Sequence, residues 1–328
     1  MAEKSPQEIR EMLPALLEEI HQAESIIVGC HLNPDGDALG SALAFSLMLD
    51  QLGKPHEVLC HHAPPRNLQF LPHVDRIKQS TETQSPDLAV ILDLEATHRL
   101  GSLEDVFLSA KRTIVIDHHQ PHQEPGDLRI VSTYSPATAA LLCDLFFDSE
   151  IEITPEMATC LLTGIITDTG SFKFPNTTSH SMHVSATLLE KGAKLAQVSE
   201  EVYMTKSRAS VELLGYCLAH MKLDMDEQLA WTTVPNSVFQ QTGATDEDTE
   251  GIVNEMLAIE SVRVAAILRE GKPGKIRGSL RSRGAIDVSQ VARVFEGGGH
   301  KNASGVSFEG DICDAEEKLV AELRKCLA

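Results

Sequence analysis

Residues 26–37 read IIVGCHLNPDGD, an apolar run followed at once by a histidine and two carboxylates. The apolar half predicts a buried β-strand, and His31, Asp35 and Asp37 come directly after its end. In open parallel sheets, ligand sites lie along the edge formed by the carboxyl ends of the strands. Taken alone, the Pro-Asp-Gly-Asp segment is better explained as a tight turn. Whether it is more than a turn depends on the rest of the chain.

The same junction of an apolar run and polar side chains recurs three times downstream. Asp93 follows the run 88–92, Asp117-His118-His119 follows 113–116, and Asp168 follows 161–167. Each buried polar group left without a partner costs ~1–3 kcal/mol, which makes a purely structural role for all of them unfavourable. The sequence therefore predicts one polynuclear metal centre built from these segments.

The chemistry of this donor set narrows the kind of metal. Four carboxylates of this set carry a charge of −4, which two divalent cations would neutralise. They are Asp35, Asp37, Asp93 and Asp168. Carboxylates with some imidazole suit Mn²⁺ or Mg²⁺ better than metals that prefer thiolates, and we also consider Co²⁺. Two such ions ~3.5–4 Å apart can clamp a phosphoryl group, and Asp93 is our candidate bridge between them. We therefore expect hydrolysis at phosphorus by a metal-activated water, without a covalent enzyme intermediate.

Alternating helical and strand patterns predict an α/β fold with a parallel sheet covered by helices. The predicted strands are 26–30, 56–60, 88–92 and 113–116, and the predicted helices are 5–22, 38–52, 155–167 and 179–191. A smaller α/β domain with a mixed sheet is expected to follow, with strands 228–234, 262–268 and 275–280 and helices 246–257 and 313–327. The predicted domains are 1–193 (catalytic), 194–220 (helical connector) and 221–328 (substrate-binding), with the active site in the cleft between the first and the last.

The composition is that of a soluble globular protein, with 42% hydrophobic and 23% charged residues among 328. No apolar run approaches the ~18 residues of a membrane span, and the polar, acidic start does not resemble a signal peptide. Seven scattered cysteines without a C-x-x-C spacing favour reduced thiols. We expect a cytoplasmic protein that does not bind membranes, and the sequence leaves a homodimer open.

The net charge of −20 is unevenly distributed. Residues 261–303 contain nine basic and three acidic side chains, so this segment carries +6 and the rest of the chain −26. An acidic body repels long duplex nucleic acid, whereas a basic lobe can hold a small phosphorylated ligand. The low aromatic content, 4%, also argues against a long single-strand track. A solvated basic face is the alternative interpretation.

Within the basic segment, a glycine run precedes a histidine. Gly297, Gly298, Gly299 and His300 would let bare backbone approach an anion closely. Three glycines alone are more typical of a flexible turn, but the nearby Arg281-Ser282-Arg283 favours a phosphate cradle. An arginine such as Arg281 can grip a terminal phosphate with two hydrogen bonds.

Other polar residues have simpler explanations. Three histidines fall in a proline-rich loop and are interpreted as solvated: His61, His62 and His73. His180 and His183 are expected to begin an exposed helix. For Arg99 the sequence leaves two roles open, an ion pair with Glu95 or a contact with substrate.

These segments resemble, in order, the motifs of the DHH phosphoesterases. The matching residues are His31-x-x-Pro34-Asp35-Gly36-Asp37-Ala38-Leu39-Gly40-Ser41, Asp93, Asp117-His118-His119 and Thr163-Gly-Ile-Ile-Thr-Asp168-Thr-Gly-Ser-Phe172. Gly297-Gly-Gly-His300-x-x-Ala303-x-Gly305, preceded by Arg281-Ser282, resembles the DHH-associated C-terminal domain. The resemblance covers nearly the whole chain.

The resemblance implies a role for each matching residue. One metal would be held by His31, Asp35 and Asp93, and the other by Asp37, Asp93, His118 and Asp168. It also implies that His119 lies near the scissile phosphate, with Asp117 orienting the histidine pair. The candidate substrate-binding residues are Arg99, Arg281, Ser282, Arg283, Gly298, Gly299 and His300.

Within the family, the chain is similar in size to the group of bifunctional oligoribonucleases (nano-RNases) and 3′-phosphoadenosine-5′-phosphate phosphatases. The implied activity is hydrolysis of RNA of about two to five nucleotides, or of a nucleoside 3′,5′-bisphosphate. A phosphodiesterase for cyclic or linear di-adenylate is the first alternative. A nucleotide-binding regulator with an inactive centre is the second, and a family II inorganic pyrophosphatase is the third.

Overall fold

The computed structural model describes residues 4–94, 96–119, 125–147 and 149–327, and for His300 its backbone alone. The chain divides into two compact units, Met1–Thr205 and Lys206–Ala328. No helix among the described residues has the length and apolar character needed to cross a membrane.

The first unit is built on a six-stranded sheet in which every strand pairing is parallel. Its strands are β1 (Ile26–Gly29), β2 (His56–Leu59), β3 (Ile77–Lys78), β4 (Leu88–Leu92), β5 (Arg112–Asp117) and β6 (Leu128–Val131). Their order is β3-β2-β1-β4-β5-β6, so the winding direction reverses between β1 and β4. In sheets of this kind, the crevice for a ligand opens at such a reversal. The parallel α/β fold expected from the sequence is confirmed.

Helices cover this sheet and bury a large apolar core. They are α1 (Pro6–Arg10), α2 (Leu13–Gln22), α3 (Gly36–Gln51), α4 (Glu104–Leu108), α5 (Thr138–Phe146), α6 (Pro155–Asp168), α7 (Ser179–Glu190) and α8 (Leu195–Ser199). Every residue of α3 from Gly36 to Leu49 is buried, which explains its lack of a polar face. A Cβ added to Gly40 would lie 2.3 Å from the carbonyl oxygen of Cys160, so glycine permits α3 to pack closely on α6.

The single helix expected over 5–22 is in fact two helices. α1 has a capping box at Ser5 and Glu8, and α2 begins at Leu13 with Pro14 in its first turn. A proline lacks the N–H that a continuous helix needs at that point, so the break follows from covalent chemistry. The helix expected over 246–257 is likewise shorter, because Gly251 adopts φ +80° just before α11.

The second unit contains a mixed sheet, as expected. Its strands are β7 (Lys222–Asp224), β8 (Leu229–Val234), β9 (Val264–Lys272), β10 (Lys275–Ser282), β11 (Gly298–His300) and β12 (Ala303–Glu309), in the order β11-β12-β10-β9-β8-β7. β8 and β9 pair in parallel and the other neighbours are antiparallel. The helices of this unit are α9 (Arg208–Ala219), α10 (Asn236–Thr242), α11 (Ile252–Leu257), α12 (Val288–Val294) and α13 (Ile312–Leu327).

α7 is tied to α5 by a histidine–carboxylate pair that the sequence did not predict. His180 and His183 lie at the beginning of α7, as expected, but His180 is half-buried, with Nε2 2.8 Å from Oδ1 of the buried Asp144. His183, by contrast, is exposed and donates to the carbonyl of Ser179. The hydrogen bond to Asp144 raises the pKa of His180 against the opposing effect of burial.

This pair makes the stability of the first unit depend on pH. Because the folded-state pKa of His180 is raised, its contribution is complete below the unfolded pKa of about 6.5 and is lost as pH rises through the folded value. We expect the loss of unfolding free energy caused by His180→Gln to be largest near pH 6 and to shrink toward pH 9. Urea unfolding at several pH values measures it, with His183→Gln as control. An equal loss at every pH would contradict the assignment.

Candidate metal centre

Three strand ends and two helix ends deliver the candidate ligands to one edge of the first sheet. His31 follows β1, Asp93 follows β4 and Asp117 ends β5. Asp35 is the N-cap of α3, with Oδ1 accepting the backbone N–H groups of Asp37 and Ala38 at 3.0 Å. Asp168 is the last residue of α6. The structure therefore brings together residues that are up to 137 positions apart in the chain, from His31 to Asp168.

The first ligand group consists of His31, Asp35 and Asp93, whose candidate ligand atoms lie within 4.8 Å of one another. His31 Nε2 is 3.6 Å from Oδ2 of Asp35 and 3.4 Å from Oδ2 of Asp93. The other ring nitrogen, Nδ1, donates to the carbonyl of Leu32 at 2.9 Å. Because a carbonyl can only accept, Nδ1 carries the proton and Nε2 of the neutral ring presents a lone pair to the group.

The second ligand group consists of Asp37, His118 and Asp168. His118 Nε2 lies 3.1 Å from Oδ2 of Asp168, 3.5 Å from Oδ1 of Asp93 and 3.9 Å from Oδ2 of Asp37. Its Nδ1 is 3.3 Å from the carbonyl oxygen of Ser135. This repeats the arrangement of His31, with one ring nitrogen fixed by backbone and the other turned toward carboxylates.

Asp93 lies between the two ligand groups: its Oδ2 faces His31 of the first group, and its Oδ1 faces His118 of the second. Its backbone is held at φ +58°, a left-handed conformation that is uncommon for residues other than glycine. Asn33, Ser171 and Phe172 have similar values, from +52° to +62°, and lie within four residues of a candidate ligand. Such strain persists where the surrounding structure enforces it, commonly at functional sites.

His119 forms a third candidate ligand group with Asp93 and His118, and Asp117 contacts His119. Oδ1 of the buried Asp117 accepts the backbone N–H of His119 at 3.1 Å and lies 2.8 Å from its Nδ1. His119 Nδ1 is also 3.5 Å from Oδ1 of Asp93. Asp117 thus orients the ring of His119, one of the two histidines for which the resemblance implied this role. The hydrogen bond to Asp117 and the charge of Asp93 outweigh burial and raise the pKa of His119.

The N-terminus of α5 contributes donors that sequence reasoning missed. The backbone N–H groups of Thr138 and Ala139 donate to the two oxygens of Asp37, at 2.6 and 2.8 Å. The Thr138 hydroxyl donates to Oδ1 of Asp93 at 3.0 Å. The first turn of a helix favours negative charge, so α5 supports both carboxylates. The only sequence signal was a threonine after Ser-Pro-Ala, which does not reveal a partner 101 residues away.

The buried carboxylates of this centre repel one another. Burial and the charges of Asp93 and Asp168 raise the pKa of Asp37 well above its usual value. Burial likewise raises the pKa of Asp168, against the lowering effect of His118. For Asp93, burial is outweighed by the neighbouring imidazoles of His31, His119 and His118, which in their charged forms hold its pKa well below the usual range.

This donor set fits divalent cations. The ion pairs that the structure describes for the four carboxylates are all with histidines. Both oxygens of Asp37 accept N–H groups, which suits its ionised form although the neighbouring carboxylates oppose it. A cation among these oxygen and imidazole donors resolves that conflict, because it neutralises the charge and is a partner for Nε2 of His31 and of His118.

In the second unit, the candidate substrate-binding residues lie on β10 and β11. Arg281 pairs with Ala303 across the β10–β12 ladder, and Gly298 pairs with Gly305 across β11–β12. Gly299 has φ +133°, and a Cβ there would lie 2.5 Å from the carbonyl oxygen of Ala303. The glycine run is thus an edge strand rather than a flexible turn. The side chain of His300 lies outside the described part of the structure.

The arginines of the basic segment differ in their partners. Arg269 and Arg277 both pair with Asp246, at 2.6 and 3.1 Å. Among the described residues, the Arg281 guanidinium donates to the carbonyl of Leu280 and forms no ion pair. Burial lowers the pKa of this guanidinium. Arg281 is therefore a half-buried cation that forms no ion pair among the described residues, although the negative charge of Glu250 acts on it. This environment suits a residue that receives an anion.

Ser282 and Arg283 are placed differently from Arg281. The buried Ser282 hydroxyl donates to the carbonyl of Ile286 and accepts from the Asn302 amide, so it braces the loop after β10. Arg283 is half-buried, and its backbone N–H donates to the carbonyl of Arg263.

The proline-rich loop of the first unit corrects one expectation. His61 and His62 are not simply solvated, because each accepts a backbone N–H at Nδ1. His73 forms an ion pair with Glu156 at 3.2 Å. The carbonyl of Arg99 accepts the N–H of Leu32, which places Arg99 beside the first ligand group. Glu95, its candidate partner, lies outside the described residues.

A doubly wound α/β sheet with an aspartate and histidine cluster at its carboxyl edge is consistent with a metal-dependent phosphoesterase. Residues 25–165 match the model of the DHH family N-terminal domain, and residues 228–328 match that of the DHHA1 domain. The chain belongs to the DHH family.

The sequences of relatives match this chain over nearly its whole length. It is 33% identical to the bifunctional oligoribonuclease and PAP phosphatase NrnA of Thermus thermophilus, over 92% of this chain and 89% of that protein. It is 27% identical to a probable bifunctional oligoribonuclease and PAP phosphatase NrnA of Streptococcus mutans, over 89% and 92%. Among solved structures, an exopolyphosphatase-related protein from Bacteroides fragilis matches with a TM-score of 0.88 and 29% identity, over 96% of both chains.

Proposed function

We propose that this protein hydrolyses RNA of about two to five nucleotides to 5′-mononucleotides, and 3′-phosphoadenosine-5′-phosphate to AMP, using two divalent ions, Mn²⁺ first among them. The observation that carries the proposal is the position of Asp93, which belongs to the group of His31 and Asp35 and also lies 3.5 Å from His118 of the second group. Nδ1 of each of these two histidines lies at a backbone carbonyl. The names of the relatives supply the substrate class.

Six residues would hold the two ions. His31, Asp35 and Asp93 would hold one ion, and Asp37, Asp93, His118 and Asp168 would hold the other, so that Asp93 would serve both. When bound, two such ions lower the pKa of water and neutralise charge on the attacking and leaving oxygens of a phosphate. α5 keeps Asp37 and Asp93 in place through Thr138.

His119 and Asp117 would act on the substrate side of the centre. Asp117 accepts from Nδ1–H of His119, which leaves Nε2 as the ring atom available to a phosphate oxygen. In its protonated form, His119 would donate Nε2–H to that oxygen. We propose that His119 neutralises charge on the phosphate, and that Asp117 maintains its orientation.

Residues of the second unit would bind the rest of the substrate. Arg281 supplies a cation that the described structure pairs with no carboxylate, and Gly298 and Gly299 bring backbone within reach of a phosphate. Arg283, His300 and Arg99 complete the proposed set. Ser282 is included because its hydroxyl donates to the carbonyl of Ile286 and so holds the loop that follows β10.

One assay tests the proposed function. The purified protein is incubated with Mn²⁺ and a linear dinucleotide, 3′-phosphoadenosine-5′-phosphate, cyclic di-adenylate or pyrophosphate, and the products are separated by chromatography. We expect turnover of the first two. Preferred cleavage of the cyclic compound would instead establish the di-adenylate activity, and tight binding without turnover would indicate a regulator.

Replacing Arg281 tests its assignment as the phosphate-binding cation. A hydrogen bond to a charged group contributes about 1.5–3 kcal/mol, so Arg281→Ala should raise KM for a dinucleotide about 10-fold to 100-fold with a smaller change in kcat. Arg277→Ala is the matched control. Arg277 lies on β10, as Arg281 does, but it already pairs with Asp246. Equal effects of the two substitutions would contradict the assignment.

A further inference from the structure

Three loops meet at the carboxyl edge of the first sheet, because β1 lies between β2 and β4. The loop after β1 carries His31 and Asp35, and the loop after β4 begins with Asp93. The loop after β2 carries no candidate ligand, yet its side chains contact the loop after β1 and the loop after β4. Its two adjacent histidines, His61 and His62, make those contacts.

His62 contacts the loop after β1. Its Nδ1 accepts the backbone N–H of Asn33 at 3.0 Å, midway between His31 and Asp35. Asn33 has φ +52°, so this loop is held in a conformation that the chain does not adopt readily. Since Nδ1 accepts, it carries no proton, and His62 is the tautomer protonated at Nε2 when neutral.

His61 contacts the loop after β4 in the same way. Its Nδ1 accepts the backbone N–H of Ser102 at 3.0 Å and lies 2.8 Å from the Ser102 hydroxyl. The ring fits closely against Gly101, where a Cβ would lie 2.7 Å from the imidazole. The two imidazoles contact each other edge to face, with centroids 4.3 Å apart.

We propose that His61 and His62, named here the imidazole clasp, are positioning residues that set the spacing of the ligand-bearing loops. The clasp ties the loop after β1 to the loop after β4, alongside the direct bond from Leu32 N–H to the Arg99 carbonyl at 2.7 Å. Orienting His31 and Asp35 in advance reduces the ordering entropy that metal binding would otherwise cost. The inference rests on the proposed metal centre.

Two substitutions of His62 distinguish the effect of its accepting nitrogen from the effect of the size of its ring. His62→Ala removes the acceptor, whereas His62→Asn keeps an oxygen that can accept the Asn33 N–H. We expect His62→Ala to accelerate amide hydrogen exchange at Asn33 and to weaken Mn²⁺ binding about fivefold. His62→Asn should stay within about twofold of the unmodified protein in both. His183→Ala, the loss of an exposed histidine on α7, should change neither.

The outcomes distinguish the clasp from the metal centre. Unchanged exchange and unchanged Mn²⁺ binding in His62→Ala overturn the proposal, as does His62→Asn behaving like His62→Ala. If the unmodified protein binds no Mn²⁺, the proposed metal centre fails, and amide exchange alone decides the clasp. In that case faster exchange at Asn33 in His62→Ala supports the clasp, and equal exchange overturns it.

Discussion

Asp93→Asn is expected to lower Mn²⁺-dependent cleavage of a dinucleotide at least about 100-fold, because one amide replaces the carboxylate that serves both ligand groups. Asparagine tolerates the left-handed backbone found at position 93, φ +58°, so the substitution removes charge without forcing the chain to rearrange. Its amide also preserves the acceptor for the Thr138 hydroxyl. The loss should appear in kcat/KM and in Mn²⁺ affinity together.

The matched control for this substitution is Asp75→Asn. Asp75 is exposed on the same unit, so the same chemical change there should leave activity within about twofold. Circular dichroism confirms that both variants fold. Retention of more than about a tenth of the activity by Asp93→Asn would contradict a bridging role for Asp93.

Gly164→Ala is expected to destabilise the protein and to impair the metal centre at the same time. A Cβ at Gly164 of α6 would lie 2.6 Å from Oδ1 of Asp37 and 2.7 Å from Cβ of Ala139. Neither neighbour can move freely, since Asp37 is buried and bonded to the N-terminus of α5. Overpacking of this kind costs ~1–3 kcal/mol, and the displaced carboxylate should reduce activity about tenfold or more.

The control for Gly164→Ala is the same substitution at Gly215. Gly215 lies within α9, and a Cβ there would meet nothing within 4 Å. Alanine is favoured over glycine in a helix by about 1 kcal/mol, so Gly215→Ala should stabilise the protein. Urea unfolding measures both variants. The same sign for the two substitutions would show that the close approach of Gly164 to Asp37 does not govern stability.

The candidate ligands were predictable because each follows a local pattern. An apolar run ending in Asp or His identifies a strand that delivers a ligand, and His31, Asp93 and Asp117 all lie where that pattern placed them. Helix α6 was predictable in the same way, from Thr154 as its cap and Pro155 in its first turn. Local signals of this kind depend only on neighbouring residues.

The supporting contacts could not be predicted, because they join segments without a mutual sequence signal. Thr138 reaches Asp37 across 101 residues, and His61 reaches Ser102 across 41. Nothing near His61 indicates that its ring accepts an N–H from another loop. The break between α1 and α2 is different, since Pro14 is a local signal whose effect the helical periodicity obscured.

Anomalous diffraction from crystals soaked in manganese tests the central claim most directly. The account predicts two peaks per chain, ~3.5–4 Å apart, one within the group of His31, Asp35 and Asp93 and the other within the group of Asp37, His118 and Asp168. A single peak, or none within these residues, would contradict a centre of two ions bridged by Asp93.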